Sequence, residues 1–232
     1  GWIALGRMLP RDNPGSASQH SGKGAFSSLS RLFRVRPAAG MLAFGFWISI
    51  ANDSLFVVYG AWFEQDFRVS LITLGFSTVA IGAAELLGES MTALFADRLG
   101  LKKAIVIGLC LAITAYVVLP FIGCTLMLAM VGMFCVFLFF EFTMVSSFSL
   151  STELMPEARA TMMAGFYASS GIGRMIGVLV GGLFWKIGGI PAVAWSAAGF
   201  TFLGLLSLLW GLYGWSPAGE NNCTEKQVLG SK

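Results

Sequence analysis

The chain has few charged residues and a single histidine. Charged residues make up 12% of its 232 residues, whereas a soluble domain usually carries about 25%. His20 is the sole histidine and lies in a polar linker, which leaves no His-based metal cluster or Ser–His–Asp triad. The Gly-x-x-x-x-Gly-Lys-Ser/Thr phosphate loop of ATP-driven pumps is also missing from the sequence. We therefore expect no metal, no cofactor and no enzymatic activity.

Cysteine and net charge are likewise low. The four cysteines show no spacing that predicts a disulfide framework or a metal site, and three of them lie in or beside apolar segments. The net charge is only +3, and the basic residues are segregated by loop. The sequence therefore does not indicate a nucleic-acid partner.

Apolar residues are the largest class in the sequence. They make up 56% of the chain, and the mean hydropathy is +0.77. A bilayer core about 30 Å thick needs about 20 apolar residues in a helix, and six segments approach or exceed that length. The sequence thus predicts an all-α membrane protein with six transmembrane helices. The predicted spans are residues 41–62, 70–95, 104–122, 125–150, 161–185 and 192–213.

Four regions follow from this pattern. Residues 1–9 are interpreted as the end of a preceding helix that this chain carries only in part, and residues 10–36 as a basic linker. Residues 37–215 form the six-helix domain, and residues 216–232 a polar tail. Lys and Arg cluster in the linker, in the loops after the second and fourth spans, and in the tail. Since basic loops stay in the cytoplasm, both ends of the six-helix unit are predicted to be cytoplasmic, in the plasma (inner) membrane.

The loop between the second and third spans carries a recognisable motif. Its order is Asp97-Arg98-Leu99-Gly100-Leu101-Lys102-Lys103, which resembles the Gly-x-x-x-Asp-Arg-x-Gly-Arg-Lys-Lys motif of the major facilitator superfamily. Two positions depart from that motif, since Ala93 replaces the first Gly and Leu101 replaces a basic residue. The resemblance implies a loop that gates the conformational change, through residues Asp97, Arg98, Gly100, Lys102 and Lys103.

A second loop, between the fourth and fifth spans, is similar to another signature of that family. It carries Glu153, Pro156 and Arg159 in the pattern Glu-x-x-Pro-x-x-x-Arg-Gly-Thr, one residue shorter and with Ala160 in place of Gly. With a basic linker before the six spans, this order resembles the C-terminal six-helix half of a twelve-helix transporter. Residues 83–89 also resemble bacterial drug and sugar efflux permeases.

Several ionisable or amide side chains interrupt the predicted spans. Charge in a bilayer core is costly, so such residues are candidates for substrate binding or proton coupling. Arg174 is the only cation that the sequence places deep in a span. Counting residues from the span ends gives Glu85 a similar depth and predicts that the two pair, with Glu89 and Glu141 as alternative partners. Such a pair is either structural or contains a carboxylate that exchanges a proton. The candidates are Asn52, Asp53, Glu85, Glu89, Glu141 and Arg174.

Together these features predict a secondary active transporter of a small solute, working by alternating access and coupled to protons in efflux. The expected partners are the lipid bilayer, a small-molecule substrate and the N-terminal six-helix half of the same transporter. The alternative is a non-transporting membrane subunit or scaffold with the same fold. Buried charge favours transport, because a scaffold gains little from it.

Overall fold

The computed structural model describes residues 32–214, and these residues form helices joined by short turns, without a strand. This confirms the predicted all-α class. A short 3₁₀ turn, Pro156–Ala158, precedes the last helix. The helices are α1 (Arg36–Phe56), α2 (Tyr59–Phe67), α3 (Leu71–Leu99), α4 (Leu101–Ile122), α5 (Leu126–Leu154) and α6 (Arg159–Gly211). The predicted segment 1–9 and tail 216–232 lie outside the described residues, and Leu32, from the predicted linker, is buried.

Five helical stretches are long and apolar enough to cross a bilayer. The last of them contains α6, whose 53 residues would extend about 80 Å at 1.5 Å per residue. That length is more than twice the bilayer core of about 30 Å. The helix is interrupted at Gly188 and Gly189, and Gly189 has a φ of 61°, a conformation that glycine adopts readily. The interruption allows α6 to supply two spans.

The contacts of α1 show that the first part of α6, residues 159–187, runs parallel to it. Gly173 lies against the backbone of Phe46, and Gly181 lies against the backbone of Ser54. The residue numbers of the two helices therefore rise together along the contact.

The second part of α6, residues 190–211, runs antiparallel to α1. Gly204 lies beside Ile48, and Gly211 lies beside Gly40. Because one part of α6 is parallel to α1 and the other antiparallel, the chain reverses at Gly188–Gly189. The described residues therefore provide six stretches long enough to cross a bilayer, the number that the sequence predicts.

The two family loops lie on one side of the bundle. Helices α3 and α5 are parallel, since Ile81 shares a small cavity with Met133 and Thr92 hydrogen-bonds the Phe142 carbonyl at 3.2 Å. Their C-terminal ends, and the loops that follow them, are therefore on the same side. The prediction that alternate loops share a side agrees with this geometry.

Two cationic side chains contact the end of α6 on the side that carries the two family loops. Lys102 Nζ donates a hydrogen bond of 3.1 Å to the carbonyl of Leu212. The Arg36 guanidinium lies 5.2 Å from the ring centre of Trp210 and 5.6 Å from that of Tyr213. A cation at a helix C-terminus is favourable because the last carbonyls are unpaired. The end of α6 therefore contacts both the start of α4 and the start of α1.

The predicted first span, 41–62, is not one continuous helix. Helix α1 ends at Phe56, and a turn at Val57 and Val58 leads into α2. The Val58 N–H donates to the Leu55 carbonyl at 3.2 Å, a three-residue spacing that tightens the chain. A hydropathy profile does not show this break, because the residues on both sides of it are apolar. The two adjacent β-branched valines lower the local helix propensity.

We predict that the α1–α6 contact depends on its small residues. A Cβ atom at Gly181 would collide with the Ser54 carbonyl oxygen, whereas none of the neighbouring atoms lies within 4 Å of the position at Gly182. Gly181→Ala should therefore destabilise the protein by about 1–3 kcal/mol through overpacking. Gly182→Ala should be neutral or stabilise it by up to about 1 kcal/mol, since alanine favours a helix interior. Thermal unfolding of the purified protein measures both, and equal effects would contradict the parallel α1–α6 packing.

Candidate functional site

Asp53 reaches α6 because α6 has glycines where the two helices touch. A Cβ atom at Gly177 would lie 2.8 Å from the carbonyl oxygen of Ile50 and 3.2 Å from the Cβ atom of Asp53. The helices are therefore in backbone contact, as small-residue faces allow in membranes. Arg174 is one turn before Gly177 on the same face. Its Nε atom lies 3.8 Å from Asp53 Oδ2.

The predicted pair of Arg174 with Glu85 is wrong in this structure. The ion pair that Arg174 makes among residues 32–214 is with Asp53 of α1, and neither Glu89 nor Glu141 replaces it. Residue counting gives the depth of a side chain in the membrane, but it does not tell which helix lies beside it. The neighbour is decided by the glycine contact between α1 and α6.

The Asp53–Arg174 pair is loose. A separation of 3.8 Å is too long for a hydrogen bond, and the buried Oδ2 atom of Asp53 has no hydrogen-bond partner. The Arg174 side chain is 56% exposed and that of Asp53 is 16% exposed. Attraction without a fixed hydrogen bond leaves the guanidinium free to exchange partners.

Other buried polar atoms surround this pair. Ser49 and Asn52 precede Asp53 at helical spacing, so the three share one face of α1. An unpaired buried polar group costs about 1–3 kcal/mol, so several together mark a region built for something other than stability. The further buried side-chain oxygens among residues 32–214 without a hydrogen-bond partner are Ser49 Oγ, Asn52 Oδ1, Tyr116 OH and Ser170 Oγ.

Tyr116 was missed by sequence reasoning. It is 1% exposed, and its hydroxyl lies within electrostatic range of Asp53. The signal that could have found it is the rarity of polar groups in α4, where Tyr116 interrupts an apolar span. Its ring also lines a cavity of about 10 Å³ beside Ile48 and Thr201, which is about the space of one water molecule.

Three carboxylates gather where α3 crosses α5. A Cβ atom at Gly88 would lie 2.8 Å from the carbonyl oxygen of Leu138 and 3.0 Å from the Cβ atom of Glu141. Glu85 lies one turn before this glycine and Glu89 directly follows it. Both carboxyl groups lie within electrostatic range of Glu141 at this crossing. Glu85 and Glu141 are half-buried and Glu89 is exposed.

The acidic crossing and the Arg174 pair form one charged region. Glu141 lies within electrostatic range of Glu85, Glu89 and Arg174. Together with Asp53 the region holds four carboxyl groups and one guanidinium, so its formal charge is −3 when all are ionised. Such an excess in a bilayer core requires water, protons or a cationic partner. This arrangement can bind a cation or carry protons.

The two family loops occupy helix ends. Gly100, with a φ of 80°, separates α3 from α4. Lys102 contacts α6, while Arg98 and Lys103 are exposed. The backbone of Asp97 belongs to α3, and its side chain lies outside the described parts of the structure.

In the second loop the helix stops where the sequence places a proline. Helix α5 ends at Leu154, and Pro156 opens the 3₁₀ turn. Glu153 and Arg159 are exposed, which leaves both side chains available to contacts outside the six-helix unit.

We predict measurable coupling between Asp53 and Arg174. Asp53→Ala and Arg174→Ala should each destabilise the protein, and the double variant should lose less than their sum. Because Arg174 is more than half exposed, the coupling should be modest, about 0.5–1 kcal/mol. Glu85→Ala with Arg174→Ala is the control cycle and should show a smaller coupling. Thermal unfolding measures both cycles, and additive effects in the Asp53 cycle would show that this pair does not form.

Comparison with known proteins agrees with this geometry. The family model described as Major Facilitator Superfamily matches residues 6–228. The chain is also similar to a Bacillus subtilis (strain 168) protein named as the uncharacterized MFS-type transporter YceJ, with 23% identity over 155 residues. That alignment covers 67% of this chain and 40% of the relative, so the chain spans less than half of that relative's length. The match over nearly the whole chain shows that it belongs to the Major Facilitator Superfamily of membrane transporters.

Proposed function

We propose that this chain is the C-terminal six-helix half of a secondary active transporter, which moves a small solute by alternating access with proton coupling. The observation that carries the proposal is the charged region, where four carboxyl groups meet a single guanidinium inside the membrane span. Family membership supports transport, and the resemblance of residues 83–89 to efflux permeases supports export.

Arg174 is the central element of the proposed coupling. In the described conformation it neutralises Asp53 without a hydrogen bond. Movement of α6 relative to α1 would carry Arg174 towards Glu141 and Glu85, which are already within its electrostatic range. The carboxylate that loses Arg174 then takes up a proton, because an unpaired charge in the membrane is costly. Return of Arg174 releases that proton.

The charged region also needs a covering partner. Glu89 and Arg174 are exposed on the six-helix unit, and exposed charge cannot face lipid at this depth. We propose that an N-terminal six-helix half covers this region and that the substrate binds between the halves. The side that carries both family loops is proposed to be cytoplasmic, in the plasma membrane, since it also carries Arg36, Arg98 and Lys103. A scaffold would need the helices but not the charged region.

Proton flux tests the proposal. Full-length transporter containing this chain is reconstituted in proteoliposomes loaded with the pH dye pyranine. It is then challenged with a panel of lipophilic organic cations and sugars. A substrate should drive proton movement in the wild type. Asp53→Asn should lower that proton flux by about tenfold or more, as expected for loss of an acid–base group. Arg174→Gln should also lower it, because it removes the guanidinium that displaces the proton. Glu64→Gln is the matched control, because Glu64 is exposed on α2. This variant should leave the proton flux unchanged.

Two results would count against this proposal. Solute flux with no proton movement in the wild type would show that transport is not coupled to protons. Proton-coupled flux that survives Asp53→Asn, Arg174→Gln and Glu141→Gln would place the coupling outside this region.

The gating loop makes a separate prediction. The resemblance implies that Asp97 helps to close the transporter on the side of the two family loops. Asp97→Asn should therefore shift the balance between the two open states while leaving expression unchanged. Reactivity of single cysteines placed on each membrane face with an impermeant thiol reagent measures this balance. Identical reactivity of both faces in Asp97→Asn and wild type would contradict the gating role.

A further inference from the structure

An apolar groove runs between α4 and α5. Its volume is about 220 Å³. On α4 its lining includes Leu111, Thr114, Val118 and Ile122, which follow one another at helical spacing and so form one face. On α5 the lining includes Gly132 and Cys135.

The length of the groove matches one leaflet of a bilayer. From Leu111 to Ile122 the axis of α4 advances about 16 Å at 1.5 Å per residue. Half of a bilayer core is about 15 Å. Because α4 ends at Ile122, the groove extends from the membrane surface at the α4–α5 turn to the middle of the bilayer.

The chemistry of the groove suits hydrocarbon alone. Residues 104–140 contain no charged side chain. The hydroxyl of Thr114 already donates to the carbonyl of Cys110 at 2.8 Å, so it offers no free donor to a ligand. A polar solute would lose its hydrogen bonds to water in this groove and gain none in return.

The size of the groove selects among apolar occupants. A helix with its side chains is about 10–12 Å wide, and a groove of about 220 Å³ cannot accept it. A single alkyl chain is slender enough to lie along the face from Ile122 to Leu111. The rim residues Leu111 and Val118 are 40% and 39% exposed, so the groove opens at the surface of the six-helix unit.

We propose that this groove is a binding site for one acyl chain of a phospholipid, from the leaflet at the α4–α5 turn. The site is distinct from annular lipid contact because the chain is enclosed on two sides by α4 and α5. It is also independent of the proposed transport function, since it uses none of the charged residues.

Val117 and Val118 provide a matched pair for the test. They are neighbours of identical chemistry, 41% and 39% exposed, but Val118 lines the groove and Val117 is not among its lining residues. The protein is reconstituted in nanodiscs containing a phosphatidylcholine with a diazirine near the end of one acyl chain. The crosslinked residues are then mapped by mass spectrometry at increasing mole fractions of this lipid.

Crosslinks should concentrate on residues 111–122 and 132–139 and should saturate as the photolipid increases. Val118→Phe should lower the saturable crosslinking about tenfold, which corresponds to excluding about two CH₂ groups. Val117→Phe should leave it unchanged. Ala115→Leu adds a smaller side-chain volume to the same groove. It replaces Val118→Phe in this test if Val118→Phe does not purify as folded protein.

Three outcomes would overturn the site. Labelling that is uniform around α4 and rises without saturation would indicate annular lipid only. Equal crosslinking in the two phenylalanine variants would place the lipid elsewhere. Protection of residues 111–122 from photolipid, with crosslinks between two copies of the chain, would show that a second copy covers this face.

Discussion

The structure depends on the close approach of α1 to α6. Glycines at positions 173, 177 and 181 let the two backbones touch along the first part of α6, and this contact determines which polar groups meet. Without a hydrophobic driving force between helices in lipid, such packing must come from fitted surfaces. It sets Asp53 beside Arg174, although the two residues are 121 positions apart in the sequence. The packing of α1 on α6 and the Asp53–Arg174 pair therefore have the same origin.

Two parts of the six-helix unit have opposite chemistry. Around Glu85, Glu89, Glu141 and Arg174 the excess of acidic groups requires water, protons or a second protein surface. Along α4, residues 104–122 carry no charge at all, and lipid can cover them at no electrostatic cost. A six-helix unit with one charged surface and one apolar surface is suited to form half of a membrane protein. The charged surface would face the partner half, and the apolar surface would face the bilayer.

Much of the fold could be predicted from the sequence. Span length and hydropathy predicted the six spans, and the two family loops that the sequence placed between spans lie at helix ends. The candidate residues were also identifiable, because ionisable groups stand out in apolar segments. The partner of Arg174 was not predictable, since depth along a helix carries no information about its neighbours. The break at Val57–Val58 was missed because it does not change the hydropathy of its span. The unpaired hydroxyl of Tyr116 was missed because burial and hydrogen-bond partners depend on how neighbouring helices pack.

The central claim is that the charged region, with Glu89 at its exposed edge, faces water rather than lipid. Reaction of single cysteines with a membrane-impermeant methanethiosulfonate reagent tests this most directly, in reconstituted protein whose native cysteines are replaced. Glu89→Cys is compared with Val117→Cys, since both side chains are exposed on the six-helix unit. The account predicts that the cysteine at position 89 reacts and that the one at position 117 does not. Equal protection of both positions, with the reagent supplied on either side of the membrane, would contradict it.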